Sequence, residues 1–557
     1  MISPTGNNPA GQGSALPNIQ NVIVLMFENR SFDHLLGAMP GVDGVLDANG
    51  VKPDLYNTMN PLEAPSVNNP AIPSTGIVPG VSPDPVNQPN YEAQYITHDF
   101  NHDFGDGMTH DLFGPDTTGI IGGQPQNNPA TTFPSINSGF LSTPEPSSND
   151  PGQTNGPGVM TYFEWQSMQV FHTLAQSFVV CDAWHCDMPG HTSPNRAFMH
   201  CATTGDLGLN DNDAVGATNM VNRLTIFERI QEKGQTWKMY WPGANCDTNW
   251  LNEQVLSQQY NSADPAAFNV TNVPIANFFT DLANGTLPFY SFIMCWNDIG
   301  CDTSMHPASM VEAGENYLAC IYNALNQSQY WENTLLIVNF DENGGMYDHQ
   351  SVPVTVPPDF DPNNNQPPPV FTWTSSITGM TYSFDFTALG VRIPVLLISP
   401  WLQAGVCSTQ YQTTSILRFL QDLLPNPNPD KPYWLTHRDQ NAPSVAPVFD
   451  YSQLGCSAIR TDCPSNIPGY TNSPTYPCTV SCSQLTSDTP PTAEQLAAVP
   501  APHLVKMTRQ YLAPLPGHPD SGKPLTRTFT TVGEMRAYSK ERMDAALAYI
   551  RRKKSRP

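Results

Sequence analysis

The sequence predicts an α/β protein in which a mostly parallel central sheet is flanked by helices and interrupted by long loop insertions. The first observation is a strongly apolar run at 21–27, and the second is a similar run at 334–340. Such runs are typical of strands that are buried on both faces, as in parallel α/β sheets. The third observation is the count of 56 prolines in 557 residues, about double the average usage, which indicates long surface connections.

The charge and hydropathy of the chain exclude some classes of function. The formal net charge is −25, which argues against a nucleic-acid-binding protein, because such binding relies on cations that neutralise phosphates. No run of about 18 apolar residues occurs, and residues 1–9 lack the charged and apolar regions of a signal peptide. We therefore expect the chain as written to be soluble and to have no nucleic-acid partner.

The twelve cysteines, with few lysines and many polar residues, predict an oxidising compartment, so we expect a secreted or periplasmic protein. Cys456, Cys463, Cys478 and Cys482 lie in a small Pro-, Ser- and Thr-rich segment near the C-terminus. We expect these four to form two disulfides, and the sequence leaves their three pairings open. A zinc site is the alternative, although the spacing lacks a Cys-x-x-Cys half-site.

Oxygen-bearing side chains follow both apolar runs at the point where each predicted strand ends. Glu28 and Asn29 follow the first run, and Asp341 and Glu342 follow the second. Parallel sheets bind ligands beyond the carboxyl ends of their strands, so we expect these groups to meet at one edge. Three carboxylates would repel one another there unless a cation lay among them, and oxygen ligands suit divalent metals. The alternative is that these residues only cap helices after buried strands.

A third predicted strand at 177–184 leads through a Pro-Gly turn into a helix. Pro194 suits the first position of that helix, with Ser193 as its cap. Thr192 then lies at a helix N-terminus, where unpaired N–H groups and the helix dipole favour an alkoxide or a bound phosphate. The alternative is that Thr192 and Ser193 merely compete to cap the helix.

The other elements follow from the same patterns. Residues 162–176 have the spacing of an amphipathic helix, and 287–294 form a further strand that precedes His306. A helix predicted at 310–326 leads into the second acidic strand, and 390–400 return as another buried strand.

Residues 38–160 are crowded with Pro, Gly and Asn, which predicts long surface loops rather than sheet. Within them, the segment 97–110 contains His98, His102 and His110 in a short polar span. This segment is able to fold over the acidic strand ends. The alternative is a surface loop with scattered histidines.

Four motifs together carry a family resemblance. In chain order they are Glu28-Asn-Arg-Ser-Phe-Asp33-His34, Pro189-Gly-x-Thr192-x-Pro-Asn-Arg196, His306-Pro307 and Asp341-Glu-x-Gly-Gly-x-x-Asp348-His349. They resemble the phosphoesterase family, which comprises bacterial non-haemolytic phospholipases C, plant non-specific phospholipases C and the respiratory-burst-inhibiting acid phosphatase. This family belongs to the alkaline phosphatase superfamily, so the resemblance implies an alkaline phosphatase-like sheet between helices and metal-dependent phosphoryl transfer.

The resemblance also implies a role for each matching residue. Thr192 corresponds to the nucleophile, and His306 and His349 to histidines that contact the phosphate or protonate the leaving group. His102 matches a looser family segment, with His98 in reserve. The implied metal ligands are Glu28, Asn29, Asp341 and Glu342, and the implied substrate-binding residues are Asn195, Arg196, His191 and Asp348.

Two positions depart from the family pattern. Met305 stands before His306 where relatives often have an acid or a second histidine, which implies a smaller set of acid and base groups. His191 stands before Thr192 where proline is usual, and this histidine would alter the turn or add a phosphate contact.

We expect a divalent metal ion as cofactor, with zinc, calcium, magnesium and manganese all compatible with these ligands. Attack by Thr192 on phosphorus would give a threonyl-phosphate ester, which water would hydrolyse. Threonine at this position resembles the lipase branch of the family and serine the phosphatase branch, so the resemblance implies a phospholipase C that acts on phospholipid, with peripheral contact with a membrane. The alternative is an acid phosphatase that acts on small phosphoesters, with substrate choice set by the loops at 38–160 and 351–389.

Two other readings are less favoured. A sulfatase is excluded because threonine cannot be oxidised to formylglycine. A non-catalytic binding protein that retains the fold would not need to keep every ligand together with the nucleophile, as this chain does.

The chain divides into four parts by composition and motif. We expect a disordered lead-in at 1–18 and a phosphoesterase catalytic domain at 19–455. A Cys- and Pro-rich segment at 456–499 follows, and 500–557 form a helical segment with a basic tail. Such a tail is usually solvated, although on an acidic protein it is able to touch anionic lipid.

Overall fold

The computed structural model describes residues 19–61, 63–80, 92–96, 99–113, 137–144, 153–204, 224–241, 272–295, 303–307, 309–358, 371–374, 381–424 and 434–470. The predicted lead-in at 1–18, the reserve histidine His98, and the C-terminal residues from 471 onward, with Cys478 and Cys482, lie outside these ranges.

The strands and helices are numbered in chain order. The strands are β1 (Asn21–Phe27), β2 (Leu46–Asp47), β3 (Gly50–Val51), β4 (Tyr56–Asn57), β5 (Ile72–Pro73), β6 (Thr75–Ile77), β7 (Thr161–Phe163), β8 (Val179–Cys181), β9 (Trp184–His185), β10 (Trp237–Trp241), β11 (Asn272–Pro274), β12 (Tyr290–Met294), β13 (Thr334–Phe340), β14 (Phe371–Thr374), β15 (Thr381–Phe384), β16 (Val395–Ile398), β17 (Gly405–Cys407) and β18 (Tyr411–Gln412). The α-helices are α1 (Phe32–Leu36), α2 (Glu92–Tyr95), α3 (Thr109–Phe113), α4 (Phe171–Ser177), α5 (Thr192–Cys201), α6 (Ile226–Glu232), α7 (Ala276–Asn284), α8 (Val311–Asn326), α9 (Thr414–Leu423) and α10 (His437–Asn441).

The core of the fold is a large mixed sheet in the order β11-β10-β12-β1-β13-β16-β8-β17. Adjacent strands run parallel except at β16, which is antiparallel to both β13 and β8. This confirms the predicted α/β class with a mostly parallel sheet. Every residue of β1 and of β13 is buried, because these two strands lie in the middle of the sheet and are covered on both faces.

The register of β1 against β13 positions the acidic residues. Phe27 pairs with Phe340 at the end of the two strands. Glu28 and Asp341, the residues that follow, therefore lie side by side at the same edge of the sheet. The prediction that both strands deliver acids to one edge is confirmed in this respect.

The antiparallel strand β16 adds a residue to the same edge. Its first residue, Val395, pairs with Cys181 at the end of β8, because β16 runs opposite to its neighbours. The segment that enters β16 therefore lies where the parallel strands end. Arg392 belongs to this segment and is almost completely buried.

The helix predicted at 162–176 needs correction in its first part. Tyr162 and Phe163 instead belong to strand β7, which pairs in parallel with Thr75–Ile77. The helix α4 begins only at Phe171. The spacing of apolar residues could not reveal the partner strand, which lies far away in sequence within the predicted loops.

The C-terminal part of the described chain packs against the main unit. The Arg460 guanidinium donates to the carbonyls of Ser177 and Leu402, at 2.8 Å each. Cys456 and Cys463 are free thiols, so neither forms the disulfide that the sequence predicts for it. Within the described residues, each helix is either too short or too polar to cross a bilayer.

A buried ion pair holds the segment that precedes Thr192. Nη1 of Arg438 lies 3.1 Å from Oδ1 of Asp187, and both side chains are fully buried. Oδ2 of Asp187 also accepts from the backbone N–H of Thr414 at 2.7 Å, which ties the start of α9 to the same carboxylate. Burial lowers the pKa of Arg438 to about 10, against the opposing effect of Asp187. Burial therefore disfavours the charged guanidinium, and Asp187 stabilises it.

We expect Asp187→Asn to destabilise the protein by roughly 3–5 kcal/mol, because it leaves the buried Arg438 charge without a counter-ion. The measurement is the urea midpoint of the variant compared with that of the unmodified protein. Asp462→Asn is the control, since Asp462 pairs with Arg460 but its side chain is 75% exposed, and that midpoint should not move. An unchanged midpoint for Asp187→Asn would show that this ion pair does not hold the fold.

Candidate active site

The side chain of Asn29 joins the groups that the sequence predicts for the site. Its Oδ1 accepts a hydrogen bond from the Thr192 hydroxyl at 3.2 Å. Its Nδ2 lies 2.8 Å from Nε2 of His306 and 3.3 Å from Nε2 of His102. The backbone N–H of Asn29 donates to Oδ1 of Asp341 at 3.1 Å. The predicted nucleophile, one predicted metal ligand and two predicted histidines therefore meet at one amide.

The backbone at this position is unusual. Asn29 has a φ of 60°, a left-handed conformation that asparagine tolerates better than most residues. The chain passes close to Gly344, where an added Cβ would lie only 2.3 Å from the carbonyl oxygen of Asn29. A glycine is therefore required at 344 for the two acidic strand ends to come together in this arrangement.

Two buried carboxylates share one guanidinium next to Asn29, and a third, that of Glu342, follows Asp341 in the chain. Arg196 donates from Nη2 to Oε1 of Glu28 at 2.9 Å and from Nε to Oδ2 of Asp341 at 3.0 Å. Burial, together with the neighbouring charge of Glu342, raises the pKa of Asp341 to about 6 against the opposing effect of Arg196. Oε1 of Glu342 is buried with no hydrogen-bond partner among the described residues, although Nε2 of His102 lies 3.3 Å away.

His102 is held between the carboxylate and a backbone carbonyl. Its Nδ1 lies 2.6 Å from the carbonyl oxygen of Phe100, which directs Nε2 towards Glu342 and Asn29. Burial would lower the pKa of His102, but the Glu342 carboxylate outweighs it and the pKa rises to about 9. The 97–110 segment thus contributes at least one histidine to the site.

The turn before Thr192 is clamped by Asn195. Its Oδ1 accepts from the backbone N–H of Met188 at 3.1 Å, and its Nδ2 donates to the His191 carbonyl at 3.1 Å. The helix α5 starts at Thr192, with His191 as its N-cap residue, so the prediction that Ser193 caps the helix is wrong by two residues. Asn195 can hold the turn from within the helix, so no side-chain cap is needed there.

His191 links the turn before Thr192 to the histidine-bearing segment at 97–110. Its Nε2 lies 2.7 Å from Oδ1 of Asp103, and the centre of its ring lies 4.5 Å from that of His102. This departure from the family pattern therefore adds an imidazole–carboxylate contact beside Thr192.

Two predicted site residues, Asp348 and His349, belong to a second cluster. Nε of Arg392 donates to Oδ1 of Asp348 at 2.9 Å, and Nη2 donates to Oδ1 of Asp33 at 3.0 Å. His349 binds Oδ2 of Asp33 through Nδ1 at 2.7 Å and Oδ1 of Asp43 through Nε2 at 3.1 Å. These contacts do not connect either residue to the Thr192 hydroxyl.

The second cluster has the composition of a metal site but carries its own cations. Ligand atoms of Asp33, Asp348 and His349 all lie within 4.8 Å of one another. Burial alone would lower the pKa of His349, but the Asp33 carboxylate outweighs burial, so the pKa lies above its ordinary value. With Arg392 donating to both aspartates, positive charge is already in place between the carboxylates.

Sequence reasoning missed Asp33, Asp103 and Arg392. The signal for Arg392 is a single cation within the apolar run at 390–400, although its position depends on the antiparallel direction of β16.

Met305, the other departure from the family pattern, contributes through its backbone, since its carbonyl accepts from Nε of Arg30 at 2.6 Å. Its side chain packs against Gly314 of α8, where a Cβ would approach within 2.4 Å.

The comparisons with known proteins agree with these motifs. Residues 19–424 match the model of the Phosphoesterase family. The chain is 28% identical over 472 residues to non-specific phospholipase C5 of Arabidopsis thaliana, covering 82% of this chain and 78% of the relative. It is 27% identical over 439 residues to non-hemolytic phospholipase C of Burkholderia pseudomallei, covering 72% and 55%.

Among solved structures, an alkaline phosphatase superfamily protein of Vibrio parahaemolyticus is 12% identical, with a TM-score of 0.26 and coverage of 46% of this chain and 60% of that one. The family match extends over most of the chain and includes all four motifs at the sheet edge. The chain therefore belongs to the phosphoesterase family and is a phosphoric ester hydrolase.

Proposed function

We propose that this protein is a divalent-metal-dependent phospholipase C that cleaves glycerophospholipid into diacylglycerol and a phosphorylated head group, with Thr192 as nucleophile. The observation that carries the proposal is the hydrogen bond from the Thr192 hydroxyl to Asn29, which sets a nucleophile among buried carboxylates. The similarity to proteins named as phospholipases C supports the lipid substrate. Peripheral contact with a membrane is part of the proposal, because the substrate resides there.

The donor set beside Thr192 fits a hard or borderline divalent cation. Glu28, Asn29, Asp341 and Glu342 offer carboxylate and amide oxygens, which suit such ions. Arg196 contacts Glu28 and Asp341. Oε1 of Glu342 is a buried acceptor without a hydrogen bond among the described residues, although Nε2 of His102 lies 3.3 Å away, and a cation would satisfy it. A bound ion would neutralise charge on the phosphate and lower the pKa of the Thr192 hydroxyl.

The residues of the chain account for the chemistry around that ion. The Thr192 hydroxyl gives up its proton as its oxygen attacks phosphorus, and the bond between phosphorus and the diacylglycerol oxygen breaks. The diacylglycerol oxygen takes up a proton, and the phosphorylated head group remains on threonine as a phosphate ester. Asn29 orients the Thr192 hydroxyl through Oδ1. Water then attacks the phosphothreonine and releases the phosphorylated head group, which restores the hydroxyl.

The leaving alkoxide needs a proton, and two imidazoles are in position to hold one. Nδ1 of His306 faces the carbonyl of Pro307, so its Nε2 is presented to Asn29. His102 presents Nε2 to the same amide. His349, for which the sequence predicts the same role, instead bonds to Asp33 and Asp43, and we assign it a positioning role through Arg392.

The proposed reaction is tested with phosphatidylcholine in mixed micelles and, separately, with a chromogenic phosphate monoester, with products identified by mass. We expect diacylglycerol and phosphocholine from the lipid, and a fall in turnover of roughly 10³-fold or more in Thr192→Ala, because the nucleophile is lost. Ser193→Ala is the matched control, since it removes a hydroxyl one residue away and should keep turnover within a few-fold.

Other outcomes would overturn the proposal. Inorganic phosphate from the monoester with intact lipid would make the protein a phosphatase. Normal lipid turnover by Thr192→Ala would remove Thr192 from the mechanism.

The location of the metal is tested by the metal content of two purified variants. We expect Glu342→Gln to lower metal affinity by more than the roughly 10–100-fold typical of outer-shell changes, because it removes a proposed direct ligand. Asp348→Asn should keep the metal stoichiometry of the unmodified protein, since Asp348 already pairs with Arg392. The reverse result, with metal lost from Asp348→Asn alone, would place the ion in the cluster of Asp33, Asp348 and His349.

A further inference from the structure

Two cysteines face each other across neighbouring strands at the end of the central sheet. Strands β8 and β17 pair in parallel, and Cys181 is the registered partner of Cys407. Adjacent strands lie about 4.7–4.9 Å apart, and paired residues project to the same face. This separation falls within the roughly 4.4–6.8 Å between Cα atoms that a disulfide requires. Both thiols are free in the structure.

The two thiols differ in exposure. Cys181 is completely buried, whereas Cys407 retains 9% exposure. Strand β17 is the outermost strand of the sheet on this side among the described residues. Cys407 is therefore the sulfur that a small reagent can reach first.

The surroundings of Cys407 favour a thiolate. The Cys181 thiol donates to the Cys407 sulfur, and Thr409 and Tyr411 donate to it as well, so the pKa of Cys407 falls to about 6. Burial raises the pKa of Cys181 well above its usual value. Cys407 is thus the thiol that more readily forms a nucleophilic thiolate, and Cys181 keeps its proton. This arrangement is found in reactive dithiols.

We propose that Cys181 and Cys407 form an oxidisable pair that closes to a disulfide between β8 and β17. The oxidant is a low-molecular-weight disulfide such as glutathione disulfide. The Cys407 thiolate attacks one of its sulfurs, breaks the S–S bond and expels one thiolate. Cys181 then loses its proton, attacks the Cys407 sulfur and expels the second thiolate. Two protein thiols are oxidised, and the reagent is reduced to two thiols.

The pair lies next to the connections that reach the second cluster. The backbone N–H of Asp182 donates to the carbonyl of Cys407 at 3.2 Å. The carbonyl of Asp182 accepts from Nη1 of Arg392 at 2.6 Å. A disulfide would therefore fix the outer strand against the segment that supports Arg392. This proposal does not depend on the proposed lipid substrate.

The test treats the full-length protein with glutathione disulfide and digests it without reductant after free thiols have been alkylated. We expect mass spectrometry to find the peptides of Cys181 and Cys407 joined to each other, and to find them separate after reduction. We also expect the Tm of the oxidised protein to exceed that of the reduced protein by about 5 °C, since a disulfide that closes so long a loop restricts the unfolded chain.

Two variants sharpen the test. Cys407→Ser should lose both the linked peptide and the redox-dependent difference in Tm. Cys456→Ser is the matched control, because Cys456 is a free, half-buried thiol outside the pair, and it should retain both. The linked peptide is sought in the unmodified protein, so the proposal stays testable if Cys407→Ser fails to fold. Alkylation of both Cys181 and Cys407 after the oxidant, or a link from either to another cysteine, would overturn it.

Discussion

The pairing of β1 with β13 is the constraint on which the site depends. Because the two strands end in register, Glu28 is forced against Asp341 and Glu342 in a part of the molecule that excludes water. Like charges at such distances repel strongly where the dielectric is low. Neighbouring segments therefore have to supply positive charge or hydrogen-bond donors at this edge, and much of the local structure follows from that need.

Helix α5 meets this need with two residues one turn apart. Thr192 and Arg196 are separated by four positions and thus lie on the same face of the helix. The same turn that presents the hydroxyl to Asn29 places a guanidinium between Glu28 and Asp341. The clamp that Asn195 makes on Met188 and His191 fixes where this helix begins, and the pair of Asp187 and Arg438 anchors the segment before it. Thr192 is consequently positioned from both sides of its turn.

The sequence predicted the parts of the site that are set by local pattern. Glu28, Asn29, Asp341 and Glu342 could be placed because each follows an apolar strand, and parallel strands bring such residues to one edge. Thr192 could be placed because the turn and helix after it are readable from short-range signals. The helix start was still misplaced, since the clamp made by Asn195 is a tertiary detail of the turn that residue propensities do not express.

What the sequence could not predict depends on long-range topology. Arg392 reaches the edge only because β16 runs antiparallel, and no local pattern specifies that direction. His349 follows the same motif as Asp341, yet the glycines at 344 and 345, both with positive φ, turn the chain away and carry it to Asp33 and Asp43. Because Asp341 and His349 belong to one motif, the sequence suggested that they lie in one site. The fold instead places them in two separate clusters.

Both clusters hold buried carboxylates close together, but they differ in how many cationic side chains face those carboxylates. This difference indicates different roles for the two clusters. In the second cluster, Arg392 contacts both Asp33 and Asp348, and His349 adds a further donor, so each carboxylate has a cationic partner within hydrogen-bond distance. Beside Thr192, Arg196 contacts Glu28 and Asp341, and Nε2 of His102 lies 3.3 Å from Oε1 of Glu342, which has no hydrogen bond among the described residues. A buried acceptor in this state carries a free-energy cost of about 1–3 kcal/mol or more, which a bound cation would remove. The three carboxylates beside Thr192 share two cationic side chains, Arg196 and His102, so this cluster keeps a net negative charge that suits it to binding a cation. The balanced cluster is suited to holding the loops around it.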